Sequence, residues 1–127
     1  MSVLRAALVA ALLAAPAAAE PASQDLEIAR GVLERALQEH PQNAELHTLL
    51  GFVFRKLERL DDAERSFTRA VSADPKKAEA HFMLGMIREK KGRAEEAKAS
   101  WKACLETAKE PGMRETAKRH LAVLEKK

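Results

Sequence analysis

The chain has 127 residues, of which 46% are hydrophobic and only 4% aromatic, with five Gly and five Pro. This composition is typical of a helical protein rich in Ala, Leu, Glu, Lys and Arg, and the length leaves room for one domain. The 22 basic and 19 acidic residues give a net charge of +3, which is too balanced to indicate binding to nucleic acid or to an anionic membrane. The single Cys excludes an intrachain disulfide and a multi-Cys metal site.

The first 19 residues have the pattern of a secretory signal peptide. Arg5 supplies the positive charge, residues 6–15 the apolar segment, and Ala17–Ala19 the small residues of a cleavage site before Glu20. The apolar segment is about half as long as a membrane-spanning helix. We therefore expect export and cleavage, which would leave a soluble periplasmic protein with no stable membrane insertion. The alternatives are a buried first helix or an uncleaved anchor.

The next predicted helix covers residues 24–40, within a half repeat of residues 24–41, after a short linker in which Ser23 is the expected N-cap. Its continuous apolar face consists of Leu26, Ala29, Leu33, Ala36 and Leu37. The helix matches the second half of the repeat that follows it, so cleavage would leave half a repeat at the start of the chain. Ile28 and Val32 lie towards the side of the missing helix, and they are either edge residues or covered by a partner.

Residues 44–75 and 78–109 repeat one pattern with a spacing of 34, which separates Gly51 from Gly85 and Phe67 from Trp101. A period of this length predicts stacked helical hairpins. In each hairpin we expect the small residues to let two backbones approach, and the aromatic residue to fill the space between hairpins. The predicted core positions are His47, Leu50, Gly51, Phe54, Ala63, Phe67 and Pro75 in the first copy, and His81, Leu84, Gly85, Ala97 and Trp101 in the second.

The second copy departs from the first at three places: Arg88 replaces an aromatic residue, Cys104 replaces Ala70, and the closing proline comes late, at Pro111. After that proline, residues 114–127 are predicted to form a capping helix. Its apolar side, Ala117, Leu121 and Leu124, would cover the last hydrophobic face of the array.

These repeated residues follow the pattern W-x-x-L-G-x-x-Y…A-x-x-x-F…P, so the chain resembles the tetratricopeptide repeat family. The resemblance implies an all-α solenoid with half a repeat, two full repeats and a C-terminal capping helix. It also implies that the first helices of the hairpins line a groove for a protein or peptide partner. The positions that correspond to this groove are Glu45, Thr48, Phe52, Lys56, Glu79, Phe82, Met86 and Lys90. The carboxylate-binding Lys/Asn/Arg set of the co-chaperone branch is not expected, because no Asn stands among them.

The sequence therefore favours a non-enzymatic periplasmic interaction module, either an adaptor or an assembly scaffold. The alternative is a structural protein that dimerises through its incomplete first repeat. No motif for catalysis, phosphate binding or a cofactor is present, and no catalytic or metal site is expected.

Two chemical alternatives remain open at single residues. His81, Met83 and Met86 offer soft ligands that would suit Cu(I), although the repeat already explains the histidine. Cys104 is expected to be a buried structural thiol, with an intermolecular disulfide as the alternative.

Overall fold

The computed structural model describes residues 3–13 and 22–126, which form seven helices and no strand. The helices are α1 (Val3–Leu13), α2 (Ser23–Glu39), α3 (Ala44–Lys56), α4 (Leu60–Ala73), α5 (Ala78–Lys90), α6 (Ala94–Thr107) and α7 (Pro111–Glu125). The chain divides into two compact units, residues 1–73 and residues 74–127. The first unit contains α1 to α4, and the second contains α5 to α7.

The helix starts follow local chemistry, and two of them differ from the prediction. Asn43 caps α3 as predicted, because its side-chain oxygen accepts the Leu46 N–H at 3.0 Å. Ser23 begins α2 instead of capping it, since Ala22 is the N-cap and makes no side-chain hydrogen bond. Helix α7 begins at Pro111, three residues before the predicted start. Proline is tolerated there because the first N–H of a helix has no partner within the helix.

In the first unit, α3 packs against both α2 and α4. Leu33, Val53 and Phe67 are completely buried, and the predicted core residues Leu50, Phe54 and Ala63 are buried with them. The space beside Gly51 is occupied by the Phe67 ring, because a Cβ at residue 51 would lie 2.6 Å from Phe67 Cε1. The glycine therefore makes room for an aromatic ring of its own hairpin, rather than for the close approach of two backbones that we predicted.

The second unit repeats this arrangement and adds a terminal helix. A Cβ at residue 85 would lie 2.6 Å from Trp101 Cε2, so the indole takes the place that the Phe67 ring has in the first hairpin. Helix α7 packs on α6, and its Ala117 and Leu124 are buried with Trp101 and Cys104 in one core cluster. Leu121 is half-buried against the same cluster.

The turns within the two hairpins share one unusual backbone conformation. Glu58 has φ of 61°, and Gly92, 34 positions later, has φ of 76°. Glycine adopts this left-handed conformation without steric cost, whereas a glutamate does not. The second hairpin therefore has the residue that suits the turn, and the first hairpin forms the same turn at some expense in stability.

Helix α1 lies within the predicted signal peptide and packs against α2 and α3. Val9 is buried there, with 3% of its surface exposed. No helix in the described ranges is long and apolar enough to cross a membrane. The predicted cleavage site, Ala17–Ala19, lies outside the described residues, so cleavage stays a prediction.

Candidate partner-binding surface

Four of the predicted groove residues lie on α3 in the first unit. Glu45 is exposed, Phe52 and Lys56 are half-buried, and Thr48 is buried. The Phe52 ring meets Phe67 edge to face, with centroids 5.3 Å apart and planes at 84°. The Thr48 hydroxyl donates to the Ala44 carbonyl at 2.8 Å. With α1 packed on α3, Thr48 therefore contributes no accessible side chain, while Phe52 offers part of its ring.

The other four predicted groove residues lie on α5 in the second unit, and they are more open. Met86 is 42% exposed, Glu79 and Lys90 are exposed, and Phe82 is half-buried. Phe82 meets Trp101 edge to face, with centroids 5.2 Å apart and planes at 89°. The α5 surface thus consists of the exposed Met86 thioether and the partly accessible Phe82 ring, whose buried side packs on the Trp101 indole.

The charged ends of both surfaces follow the helix dipole. Glu45 and Glu79 stand in the first turns, and Lys56 and Lys90 in the last turns. Carboxylates are favoured at helix N-termini and ammonium groups at C-termini. Each helix therefore presents an apolar centre between an acidic end and a basic end.

A polar cluster that the sequence analysis did not predict holds Trp101 in place. The Trp101 indole N–H donates to Glu89 Oε2 at 3.0 Å, and His120 Nδ1 lies 2.9 Å from the same oxygen. The His120 ring also stacks on the indole, with centroids 4.6 Å apart. Glu89 and His120 are 31 positions apart in the sequence, and no pattern in the chain relates them.

The two repeated histidines share one role that their spacing does indicate. Nε2 of His47 lies 2.8 Å from the Pro41 carbonyl oxygen, and Nε2 of His81 lies 2.8 Å from that of Pro75. A carbonyl oxygen only accepts, so Nε2 carries the proton and Nδ1 of a neutral ring is an acceptor. The Nδ1 atom of His47 is buried and has no hydrogen-bond partner among the described residues.

The residues of the copper alternative lie in different environments. His81 is engaged with Pro75 through Nε2, Met83 is buried, and Met86 is exposed. Within residues 3–13 and 22–126, no group of three His, Cys, Asp or Glu side chains is arranged to hold a metal ion. Cys104 is completely buried, and this burial raises the pKa of its thiol. The thiol is therefore protonated and enclosed, as expected of a structural cysteine.

Comparison with known proteins identifies the repeat. Two family models, both described as tetratricopeptide repeat, match residues 22–69 and 53–101. A tetratricopeptide repeat protein of Thermus thermophilus is 30% identical, with a TM-score of 0.75 over 93% of this chain and 62% of that chain. No curated protein sequence matches the chain significantly.

Two similar solved structures contain bound peptides. The Yersinia enterocolitica type III secretion chaperone SycD, in complex with a peptide of the translocator YopD, is 19% identical. Its TM-score is 0.75 over 97% of this chain and 88% of that chain. The second tetratricopeptide repeat domain of human RPAP3, in complex with an HSP70 peptide, is 24% identical. Its TM-score is 0.67 over 80% of this chain and 82% of that chain. At these identities the likeness shows the all-α helical-repeat fold and no more.

Proposed function

This chain belongs to the tetratricopeptide repeat family, and from that premise we propose that it is a non-enzymatic adaptor of the periplasm. Proteins with this repeat serve as protein-interaction modules, and both peptide-bound structures described above are examples. The choice of partner depends on the surface of the chain and not on the fold. The proposal therefore rests on the groove residues themselves.

The observation that carries the proposal is the α5 surface. Met86 is one of three large hydrophobic residues, with Ile28 and Val123, that are strongly exposed in the described ranges. It lies one helical turn from the half-buried Phe82, on a helix whose last turn carries Arg88 and Lys90. Apolar side chains at the centre and charged ones at the edge are typical of a protein interface. A helix or extended peptide with spaced apolar anchors suits such a surface.

The test compares two exposed apolar residues on different helices. Met86→Glu places a charge on the proposed surface, and Val123→Glu places the same charge on α7, where the native residue is 52% exposed. Both variants are to be checked for native helicity by circular dichroism and then used in crosslinking pull-downs from the periplasm. We expect Met86→Glu to lose the partner that the wild type captures, and Val123→Glu to retain it. Equal capture by both variants would contradict the proposed surface.

The periplasmic location has its own test. The sequence pattern of residues 1–19 supports export, and it predicts that protein recovered from the periplasm starts at or near Glu20. Intact-mass analysis of that protein measures the cleavage directly. If the uncut chain is recovered only from the cytoplasm, the periplasmic location is wrong, whereas the proposed α5 binding surface is not affected.

Self-association is the second candidate, and the position of α1 favours it. Helix α1 packs against α2 and α3, and signal-peptide cleavage would uncover the surface beneath it. Ile28 of α2 is 60% exposed even with α1 in place. A second copy would then cover this surface. We expect light scattering of the cleaved protein to show a dimer that Ile28→Glu dissociates and Val123→Glu does not. A cleaved protein that stays monomeric at all concentrations would exclude this candidate.

A further inference from the structure

A concave surface in the first unit lies apart from the predicted groove residues. It is an open crevice of about 560 Å³ between α2 and α4, and α3 forms its floor. Leu37, Leu50 and Phe54 provide the apolar part of its lining. The charged part of the lining has four arginines and two carboxylates, which are Arg30, Arg59, Arg65, Arg69, Glu34 and Asp62. The lining therefore carries a net positive charge above an apolar floor.

A second crevice of about 390 Å³ continues the first one towards the α2–α3 turn. The two share Leu37, His47 and Arg69, so Arg69 stands where they meet. The remaining lining of the second crevice consists of Pro41, Gln42 and Ser72, which are neutral. Arg69 is thus flanked on this side by hydrogen-bonding groups that carry no charge.

The ion pairs of the crevice leave Arg69 as the uncompensated cation. Arg30 bonds to Glu27 and Glu34, each at 2.6 Å. Arg59 and Arg65 share Asp62 at 2.9 and 3.0 Å. Arg69 makes no ion pair or side-chain hydrogen bond with any residue in the described ranges. The excess positive charge of the crevice is therefore concentrated at the junction of its two halves.

We propose that this crevice binds an acidic peptide segment of a partner protein, with one carboxylate of the peptide on Arg69. A guanidinium group binds a carboxylate through two parallel hydrogen bonds, which fixes orientation as well as charge. An apolar side chain next to that carboxylate would lie on Leu37 and Leu50.

The same lining argues against nucleic acid as the occupant. Glu34 and Asp62 lie in the crevice, and they would repel the closely spaced phosphates of a nucleic acid backbone. The lining holds two aromatic rings: the Phe54 ring is already covered by the Arg59 guanidinium, which lies 4.8 Å from the ring centroid, and the His47 ring is buried, with 7% of the residue exposed. No free ring therefore remains in the lining for a base to stack on. A peptide with isolated carboxylates avoids both obstacles.

The site is particular to α4. The position 34 residues after Arg69 is Ala103, so the second hairpin lacks the central cation although it repeats the core. The proposed peptide site is also separate from the α5 surface on which the proposed function rests. Failure of one therefore does not imply failure of the other.

The experiment measures binding of a fluorescein-labelled peptide of glutamate and leucine, spaced by serine, to the purified protein by fluorescence anisotropy. The comparison peptide has lysine in place of glutamate. We expect the acidic peptide to bind with a Kd that rises with salt concentration, because exposed charge pairs are screened, and the lysine peptide not to bind. Arg69→Glu should raise the Kd by roughly tenfold or more, because it removes the charge pair and also places a repelling carboxylate at the same position.

The matched control is Lys118→Glu, which makes the same charge change at an exposed position of α7 in the other unit. We expect this variant to bind the acidic peptide within about twofold of the wild type, because Lys118 is not part of the lining of either crevice and exposed charges are screened at physiological salt. Arg69→Lys should bind with intermediate affinity, because lysine keeps the charge and loses the planar pair of donors. Equal weakening by Arg69→Glu and Lys118→Glu would overturn the site. So would binding of the lysine peptide, or of a single-stranded oligonucleotide in preference to the acidic peptide.

Discussion

The two hairpins, α3–α4 and α5–α6, use the same positions for packing and fill them with different side chains. Phe67 covers Gly51 in the first hairpin, and the larger Trp101 covers Gly85 in the second. The indole brings an N–H group into the core, and Glu89 accepts its hydrogen bond. Glu89 also binds His120 of α7. The larger ring thus requires a polar partner, and that partner also links the hairpin to the capping helix.

A second pair of positions shows how much variation the repeat tolerates. Phe54 is buried in the first hairpin, with the Arg59 guanidinium over its ring. The corresponding Arg88 in the second hairpin is half-buried and donates a hydrogen bond to the Ser100 hydroxyl at 2.8 Å. The position lies at the edge of the hairpin core, where an aromatic ring and a hydrogen-bonded guanidinium are both stable. The glycine and the ring that covers it, by contrast, recur in both copies.

Removal of the covering ring is expected to have the largest effect. Phe67→Ala and Trp101→Ala should each lower the free energy of unfolding by about 3–5 kcal/mol, through lost burial and the remaining cavity. Trp101→Ala should be the more damaging of the two, because Glu89 also loses a donor. Urea unfolding followed by circular dichroism measures both. Lys102→Ala, at an exposed position, is the control. If either ring variant lowers the free energy of unfolding by no more than this control does, the described packing of the ring on the glycine is wrong.

Filling the space under the ring should have the next largest effect. Gly51→Ala and Gly85→Ala should each cost about 1–3 kcal/mol, because the new Cβ forces the ring out of its place. Gly31→Ala is the matched control, since no atom lies within 4 Å of the added Cβ in α2. That variant should gain about 0.5–1 kcal/mol from helix propensity. Thermal unfolding distinguishes the outcomes, and a stabilised Gly51→Ala would refute the close contact.

Substitutions in the turns of the two hairpins should change the free energy of unfolding by less, and in opposite directions. Glu58→Gly should raise the free energy of unfolding by about 0.5–1 kcal/mol, because glycine adopts the left-handed conformation without steric cost. Gly92→Ala should lower it by about 1 kcal/mol for the same reason. Both residues are exposed, so packing contributes little to either change. Both variants are to be measured by urea unfolding. If the free energy of unfolding changes in the same direction in both, the left-handed backbone conformation is not the cause of the change.

The smallest expected effect at neutral pH concerns Cys104, which stands where the first hairpin has Ala70. Burial raises the pKa of this thiol in the folded protein, so its stabilising contribution is complete below the ordinary thiol pKa of about 8.5. As the pH rises above that value, the unfolded chain releases the proton first, and the free energy of unfolding falls. The unfolding midpoint of the wild type should therefore fall progressively above pH 8.5 relative to that of Cys104→Ala, which has no thiol to titrate. A difference between the two that stays constant with pH would contradict the shifted pKa.

The repeat itself was predictable from the sequence. The 34-residue spacing determined that residues 44–75 and 78–109 form two equivalent hairpins, and the periodic apolar residues determined which side of each helix is buried. Leu50, Ala63 and Phe67 are in the core for that reason. Asn43 was identifiable as a cap because its oxygen acts on a neighbouring N–H, which is a local interaction.

The tertiary structure decided the features that depend on residues far apart in the chain. The contacts of Glu89 with Trp101 and His120 join three helices. The crevice around Arg69 requires α2, α3 and α4 together. The burial of Thr48, at a position that corresponds to a groove residue, was also not readable from the sequence. Periodicity specifies the direction in which a side chain points, whereas exposure and charge pairing depend on what packs against it.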